Sequence, residues 1–202
     1  VQAARRTNLK LILSIHNQTC LTCSRSGLCE LQSLCREYGV DNQMAFEGEK
    51  ICYEPDTSAV HMVRDNSNCI MCRRCEAVCS LAQGVACIGP SGRGFATHIG
   101  PRFDSPLSET ACIHCGQCII ACPTGALYEK DNTGLVWNAL GDPQKHVVVQ
   151  TAPSVRAGLG EMFSLPIGTN VEGKLAAALR RRGFDGVFDT DFAADLPRSE
   201  AA

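Results

Sequence analysis

Two runs of four cysteines, 43 residues apart, set the terms for everything else in this chain. Cys69, Cys72, Cys75 and Cys79 read C-x2-C-x2-C-x3-C, and Cys112, Cys115, Cys118 and Cys122 repeat the spacing, followed by Pro123. Three thiolates two residues apart wrap a chain around one [4Fe–4S] cubane, and the fourth, near a proline, serves the neighbouring cluster. The pairing expected is Cys69, Cys72 and Cys75 with Cys122, and Cys112, Cys115 and Cys118 with Cys79. Zinc is the competing reading, but it takes four ligands as two separated pairs, not a triplet and a crossing fourth. Disulfides need a secretory setting. Val1 to Lys10 carries Arg5, Arg6 and Lys10 and no long apolar run, so it does not read as a signal peptide. A reducing cytoplasm is the expected compartment.

The other classes recede on composition. A formal net charge of -2 implies no basic nucleic-acid surface, and 5% aromatics give no base-stacking platform. No stretch approaches the roughly 18 apolar residues of a membrane span.

A further ligand set stands upstream, His16-x3-Cys20-x2-Cys23-x5-Cys29. Taken alone it fits a zinc site of three cysteines and one histidine, or a C-x2-C-x5-C-x5-C set in which Cys35 is the fourth ligand and His16 a bystander. Cys35, Cys52 and Cys87 share no spacing and read as small buried apolar residues. His61, His98 and His114 show no partner pattern; His114, between Cys112 and Cys115, reads as solvated.

Between the ligands the chain reads coarsely. Leu9, Ile12 and Leu13 mark a helix from Arg5 to Ile15, with Thr7 or Asn8 as N-cap. Residues 36 to 65 read as a connector with little regular structure, and Gly89 to Gly100 as a loop. A short helix is expected near Trp137 to Leu140. Val147 to Thr151 reads as a buried strand. Pro153 opens a helix with Val155, Leu159, Met162 and Phe163 on its apolar face. A second helix runs from Val171, with Leu175, Ala178 and Leu179 on one side and Gly183 as cap, and Phe184 to Thr190 reads as a strand. Strand–helix–helix–strand is the start of a parallel α/β sheet. The fold class is therefore α+β: a small domain around the His16 to Cys29 set (1–40), a connector (41–65), a two-[4Fe–4S] domain of β-α-β repeats (66–130), a second connector (131–145) and an α/β stub (146–202).

The duplicated motif resembles the two-[4Fe–4S] bacterial ferredoxins. The second copy ends Cys122-Pro123 as that family does; the first has Ser80 in place of proline, which weakens the turn and not the ligation. With a ferredoxin repeat downstream, the His16 set resembles the His-ligated [4Fe–4S] domain of [FeFe] hydrogenases, of the large iron–sulfur subunit of complex I and of some NAD-linked formate dehydrogenases. Gly27, Cys29, Leu31 and Gln32 match its closing G-x-C-x-L-Q stretch. That resemblance implies His16 as ligand. The run His146 to Arg156, then Gly160-Glu161, Gly173-Lys174-Leu175, Gly183-Phe184-Asp185 and Phe192 to Asp195, resembles the start of the [FeFe] hydrogenase catalytic domain. It implies reversible reduction of protons to H2, with Ala152, Pro153 and Ser154 lining the H-cluster pocket. By this resemblance the chain reads as a fragment. The H-cluster ligands and a [2Fe–2S] domain are expected only in the intact protein, and these residues alone are expected to turn over no H2. The expected partner is a redox protein, either a ferredoxin or an NAD(P)H-oxidising flavin/iron–sulfur subunit. A stand-alone polyferredoxin carrier is the alternative.

Overall fold

The computed structural model describes residues 1–40, 46 and 50–191. The stretch Phe192 to Asp195 and the terminal residues Pro197 to Ala202 lie outside them. The chain divides into two compact units, Val1–Lys130 and Asp131–Ala202.

The first unit opens with α1 (Gln2–Ile15), which starts ahead of the expected Thr7 or Asn8 cap; its N-cap is Val1. His16 ends it in extended conformation. Helix α2 (Glu30–Tyr38) follows Cys29 directly, so residues 36–38, read as connector, continue a helix. Gly39 closes α2 in the left-handed conformation at φ 59°, which costs a glycine little, and Val40 turns back to donate its N–H to the Cys35 carbonyl at 2.9 Å. Leu9 and Leu13 of α1 pack with Leu31 and Val40, and the thiol of Cys29 shares that core.

The rest of this unit is built from short elements. β1 (Met62–Arg64) pairs antiparallel with β4 (Leu127–Glu129), and β2 (Gly89–Ser91) pairs antiparallel with β3 (His98–Gly100). β1 arises inside the stretch read as connector, and β2–β3 inside the stretch read as loop. Each cysteine triplet leads into one short helix, α3 (Arg74–Ala77) or α4 (Gln117–Ala121). A turn of π-helix, Val78–Ala82, follows α3. The strand pairings cross between the two copies. The core they enclose combines Met62, Ile88, Ile99, Leu107, Ile119 and Leu127 with the sulfurs of Cys75 and Cys122.

Cross-ties hold the His16 segment to these elements. The Asn17 N–H donates to the Ser67 carbonyl (3.1 Å) and the Glu30 N–H to the Pro123 carbonyl (3.0 Å). Arg25 donates to the Ile119 carbonyl at 2.5 Å, and Arg74 pairs with Glu30 at 2.5 Å.

The second unit contains α5 (Thr133–Leu140), β5 (Val148–Thr151), α6 (Pro153–Met162), α7 (Glu172–Arg181) and β6 (Gly186–Asp189). β5 and β6 pair parallel, Val148 to Gly186 through Thr151 to Asp189. Proline occupies the first turn of α6, where no intrahelical N–H is needed. The expected burial of β5 does not hold: its residues alternate exposed and half-buried, and Val148 is 53% exposed. Its one strand partner among the described residues is β6. The apolar face of α6 is likewise open, with Val155, Met162 and Phe163 all exposed.

Candidate iron–sulfur sites

Backbone shape comes first at the two cysteine repeats. Met71 and Arg73 in the first copy, and His114 and Gly116 in the second, all have positive φ, between 57° and 71°. These are equivalent positions flanking the second cysteine of each triplet. Three of the four are not glycine, and such residues persist in that region only where the surroundings enforce it, at about 1–3 kcal/mol each. The bend folds the Met71 N–H onto the Cys69 sulfur at 3.4 Å, so the backbone donates to sulfur where negative charge is expected.

The thiols then fall into three groups. Cys69, Cys72, Cys75 and Cys122 line one tight cavity of about 20 Å³. Cys79, Cys112, Cys115 and Cys118 line another of about 30 Å³. Burial, then the charges of Cys69 and Cys122, push the Cys75 thiol up to about 12. Burial, then Cys112, Cys115 and Cys79, push Cys118 up to about 11. Thiols that raise one another this way ionise together only when a cation joins them.

The third group is more open. His16, Cys20, Cys23, Cys29 and Cys35 line a cleft of about 620 Å³. His16 is 7% exposed, and its Nδ1 is buried without a hydrogen-bond partner. Burial holds the imidazole below its usual pKa, assisted by the Lys50 ammonium and opposed by Asp65. A neutral ring with an orphaned nitrogen is in the form a metal requires. Burial, then the neighbouring Cys29 and Cys20, raises the Cys35 thiol, as burial does for Cys75 and Cys118.

Soft thiolates with one imidazole suit iron–sulfur clusters. Among the described residues no three His, Cys, Asp or Glu side chains converge as for a single ion; the donors surround spaces instead. The donor chemistry therefore fits [4Fe–4S] groups.

Residues 5–44 match the NADH-ubiquinone oxidoreductase-G iron-sulfur binding region, residues 106–128 a 4Fe-4S binding domain, and residues 145–202 the iron only hydrogenase large subunit, C-terminal domain. The chain is 51% identical over 193 residues to the NADP-reducing hydrogenase subunit HndD of Solidesulfovibrio fructosivorans, spanning 96% of this chain and 33% of that protein. It is 36% identical over 197 residues to iron hydrogenase 1 of Clostridium pasteurianum, spanning 98% of this chain and 34% of that one. The chain is a relative of the iron-only hydrogenase large subunits. It spans about a third of the length of these curated relatives. Its fold also matches a crystal structure of NAD+-reducing [NiFe]-hydrogenase in the H2-reduced state, with TM-score 0.60 and 30% identity over 65% of this chain and 56% of that one. The cofactors of this chain are [4Fe–4S] clusters. No helix among the described residues is long and apolar enough to cross a membrane.

Ala152, Pro153 and Ser154 lie where β5 passes into α6, all exposed. Two residues on, Arg156 pairs with Asp189 and with Asp191 (2.8 Å), tying α6 to the end of β6.

Among the remaining cysteines and histidines, His114 is exposed as expected, while others depart from expectation. Cys52 is exposed rather than buried. Cys87 stands 3.6 Å from Cys79, sulfur to sulfur. His61 and His114 stack at 4.6 Å, and His98 pairs with Asp104 at 2.6 Å. Spacing gave no sign of these contacts, because two depend on how a short loop turns and the third, His61 with His114, joins distant segments.

Gly125, three residues past Cys122, lies against Cys23. A Cβ here would stand 2.4 Å from the Cys23 sulfur. Gly125→Ala is therefore expected to cost about 1–3 kcal/mol by overpacking, and to perturb the electron paramagnetic resonance (EPR) signal of the His16 group. Gly134→Ala, in open space on α5, is the control. Equal thermal stability of the two variants would show that the Cys23 loop gives way freely.

Proposed function

We propose that this chain conducts electrons through three [4Fe–4S] clusters, to or from the H-cluster of an iron-only hydrogenase that interconverts protons and H2. Their ligands are His16, Cys20, Cys23 and Cys29; Cys69, Cys72, Cys75 and Cys122; and Cys79, Cys112, Cys115 and Cys118. Each cluster, when bound, takes up and releases one electron. The observation that carries the reading is the crosswise grouping of thiols, Cys122 beside Cys75 and Cys79 beside Cys118. Gly125 adds to it by letting Cys23 rest against the backbone just past Cys122.

The protein's part is to hold the groups close, bury them and set their potentials. Met71 donates an N–H to sulfur, which favours the reduced state. A neutral His16 in place of a thiolate leaves the first group less negative, which raises its potential.

The domain division follows: 1–40 for the His-ligated group, 66–130 for the ferredoxin-like β-α-β repeat, and 146–202 for the opening of the H-cluster domain, with connectors at 41–65 and 131–145. There, Ala152, Pro153 and Ser154 line the H-cluster pocket, at the N-terminus of α6, where backbone N–H groups favour an anionic ligand. The match over residues 145–202 favours this reading over a complex I or formate dehydrogenase subunit and over a stand-alone carrier. The partner is a redox protein, a ferredoxin or an NAD(P)H-oxidising subunit. The similarity to an NADP-reducing hydrogenase subunit supports the second. The setting is a reducing cytoplasm.

Redox-poised EPR on the anaerobically reconstituted chain tests the reading. Three [4Fe–4S] signals are expected; stoichiometric zinc without acid-labile sulfide would overturn it. His16→Cys should keep its cubane at a lower potential and leave the other two unmoved. His16→Ala should lose iron at that site alone. Unchanged spectra in His16→Ala, with a cluster lost in Cys35→Ala, would make Cys35 the ligand.

A further inference from the structure

Cys87 belongs to neither cysteine repeat: the equivalent position in the second copy is Lys130. Yet its sulfur lies 3.6 Å from that of Cys79, and it lines the same cavity as Cys79, Cys112, Cys115 and Cys118. The chain is turned to put it there. After the π-helical turn, the N–H groups of Val85 and Ala86 both donate to the Cys79 carbonyl, at 3.0 and 3.2 Å. Cys87 then follows directly and points its thiol back at Cys79.

The first site has no such thiol. Among the described residues its cavity holds Cys69, Cys72, Cys75 and Cys122 only. Cys122, the counterpart of Cys79, directs its sulfur to the Thr124 carbonyl at 3.2 Å. One site thus has four thiols and the other five.

We propose that Cys87 is a reserve ligand, able to take over the iron that Cys79 holds. This rests on the assignment of Cys79, Cys112, Cys115 and Cys118 to one cluster. In the exchange the iron–sulfur bond to Cys79 breaks and one to Cys87 forms. The proton leaving the Cys87 thiol passes to the released Cys79 thiolate. Charge at the site is unchanged, no electron is gained or lost, and the two sulfurs are close enough for direct proton transfer.

The test compares the reconstituted full chain with Cys79→Ala, Cys87→Ala, the double variant Cys79→Ala/Cys87→Ala, and Cys122→Ala, by iron content and by EPR after ferricyanide oxidation. Cys79→Ala should retain the parent's iron and show no [3Fe–4S] signal, whereas the double variant and Cys122→Ala should each lose iron and show one. If Cys79→Ala loses as much iron as the double variant, the reserve role is wrong while the ligand set stands. If the double variant keeps its full iron, the ligand set itself is wrong. Should Cys79→Ala fail to fold, as judged by circular dichroism, iron loss from Cys87→Ala under a chelator decides. A rate several-fold above the parent's supports the proposal, and an unchanged rate overturns it.

Discussion

Cys122→Ala is expected to strip iron from the site of the first cysteine triplet and leave that of the second intact. The reason is geometric: Cys122 faces Cys69, Cys72 and Cys75 across one cavity, although it follows Cys118 in sequence. Ligation is coupled to folding, because the preformed site does not exist in the unfolded chain, so this is among the largest effects one substitution can have here. Combination variants read the wiring. Cys72→Ala with Cys122→Ala should damage one cluster, no more than the worse single variant does. Cys115→Ala with Cys122→Ala should damage two. Spin counts from EPR on reduced samples separate these patterns, and damage to one cluster in the second pair, but two in the first, would mean that each run of four binds its own cluster.

A second large effect is expected at Arg64. Its guanidinium, with 12% of the side chain exposed, pairs with Asp56 at 3.3 Å and donates to the Ile99 carbonyl at 3.0 Å. It thereby links β1 to β3, one strand of each pair in the first unit. Arg64→Met keeps most of the volume but removes the charged partner of the part-buried Asp56 and the donor to the Ile99 carbonyl, for a loss of about 1–3 kcal/mol. Burial alone would raise the Asp56 pKa, but hydrogen bonds from Ser58 and the Leu107 N–H, with the Arg64 charge, outweigh it and hold the carboxyl below its usual range. A depressed carboxylate pKa contributes stability that is present above its unfolded value, about 3.9, and is lost as pH falls through the folded value. Without Arg64 the folded pKa rises towards the unfolded one, so the penalty of Arg64→Met should be largest at neutral pH and shrink as pH falls below about 4. Denaturant unfolding of the reconstituted chain at neutral and acidic pH measures both effects, and a loss below about 1 kcal/mol would mark the pair as one screened like a surface ion pair.

The cysteine runs that gather around common cavities were legible because their pattern is local: the thiols lie two or three residues apart. The helices α6 and α7 were legible from Pro153 and from the spacing of Leu175 and Leu179. The first unit's strands were not. β1 is three residues long, too short to show alternation, and its partner β4 lies beyond both cysteine runs. β2 and β3 consist largely of Gly, Pro and Ser, so composition alone says loop, yet Gly89 pairs with Gly100 and Ser91 with His98. Helix α2 carries Leu31, Leu34 and Tyr38 at helical spacing, but it is only nine residues long and its polar second half, from Arg36, reads as connector. Cys87 was invisible for a related reason: its proximity to Cys79 comes from a reversal of the backbone, not from a repeat.

The crosswise pairing has a bearing on synthesis. A ribosome makes the first cysteine triplet well before Cys122, and β1 well before β4. Until residues 112 to 122 have left the exit tunnel, Cys69, Cys72 and Cys75 lack Cys122, and Cys79 lacks Cys112, Cys115 and Cys118. Vectorial synthesis therefore cannot finish either ferredoxin-like site early. Both become complete within the same short stretch of elongation, and the nascent chain carries bare thiols until then.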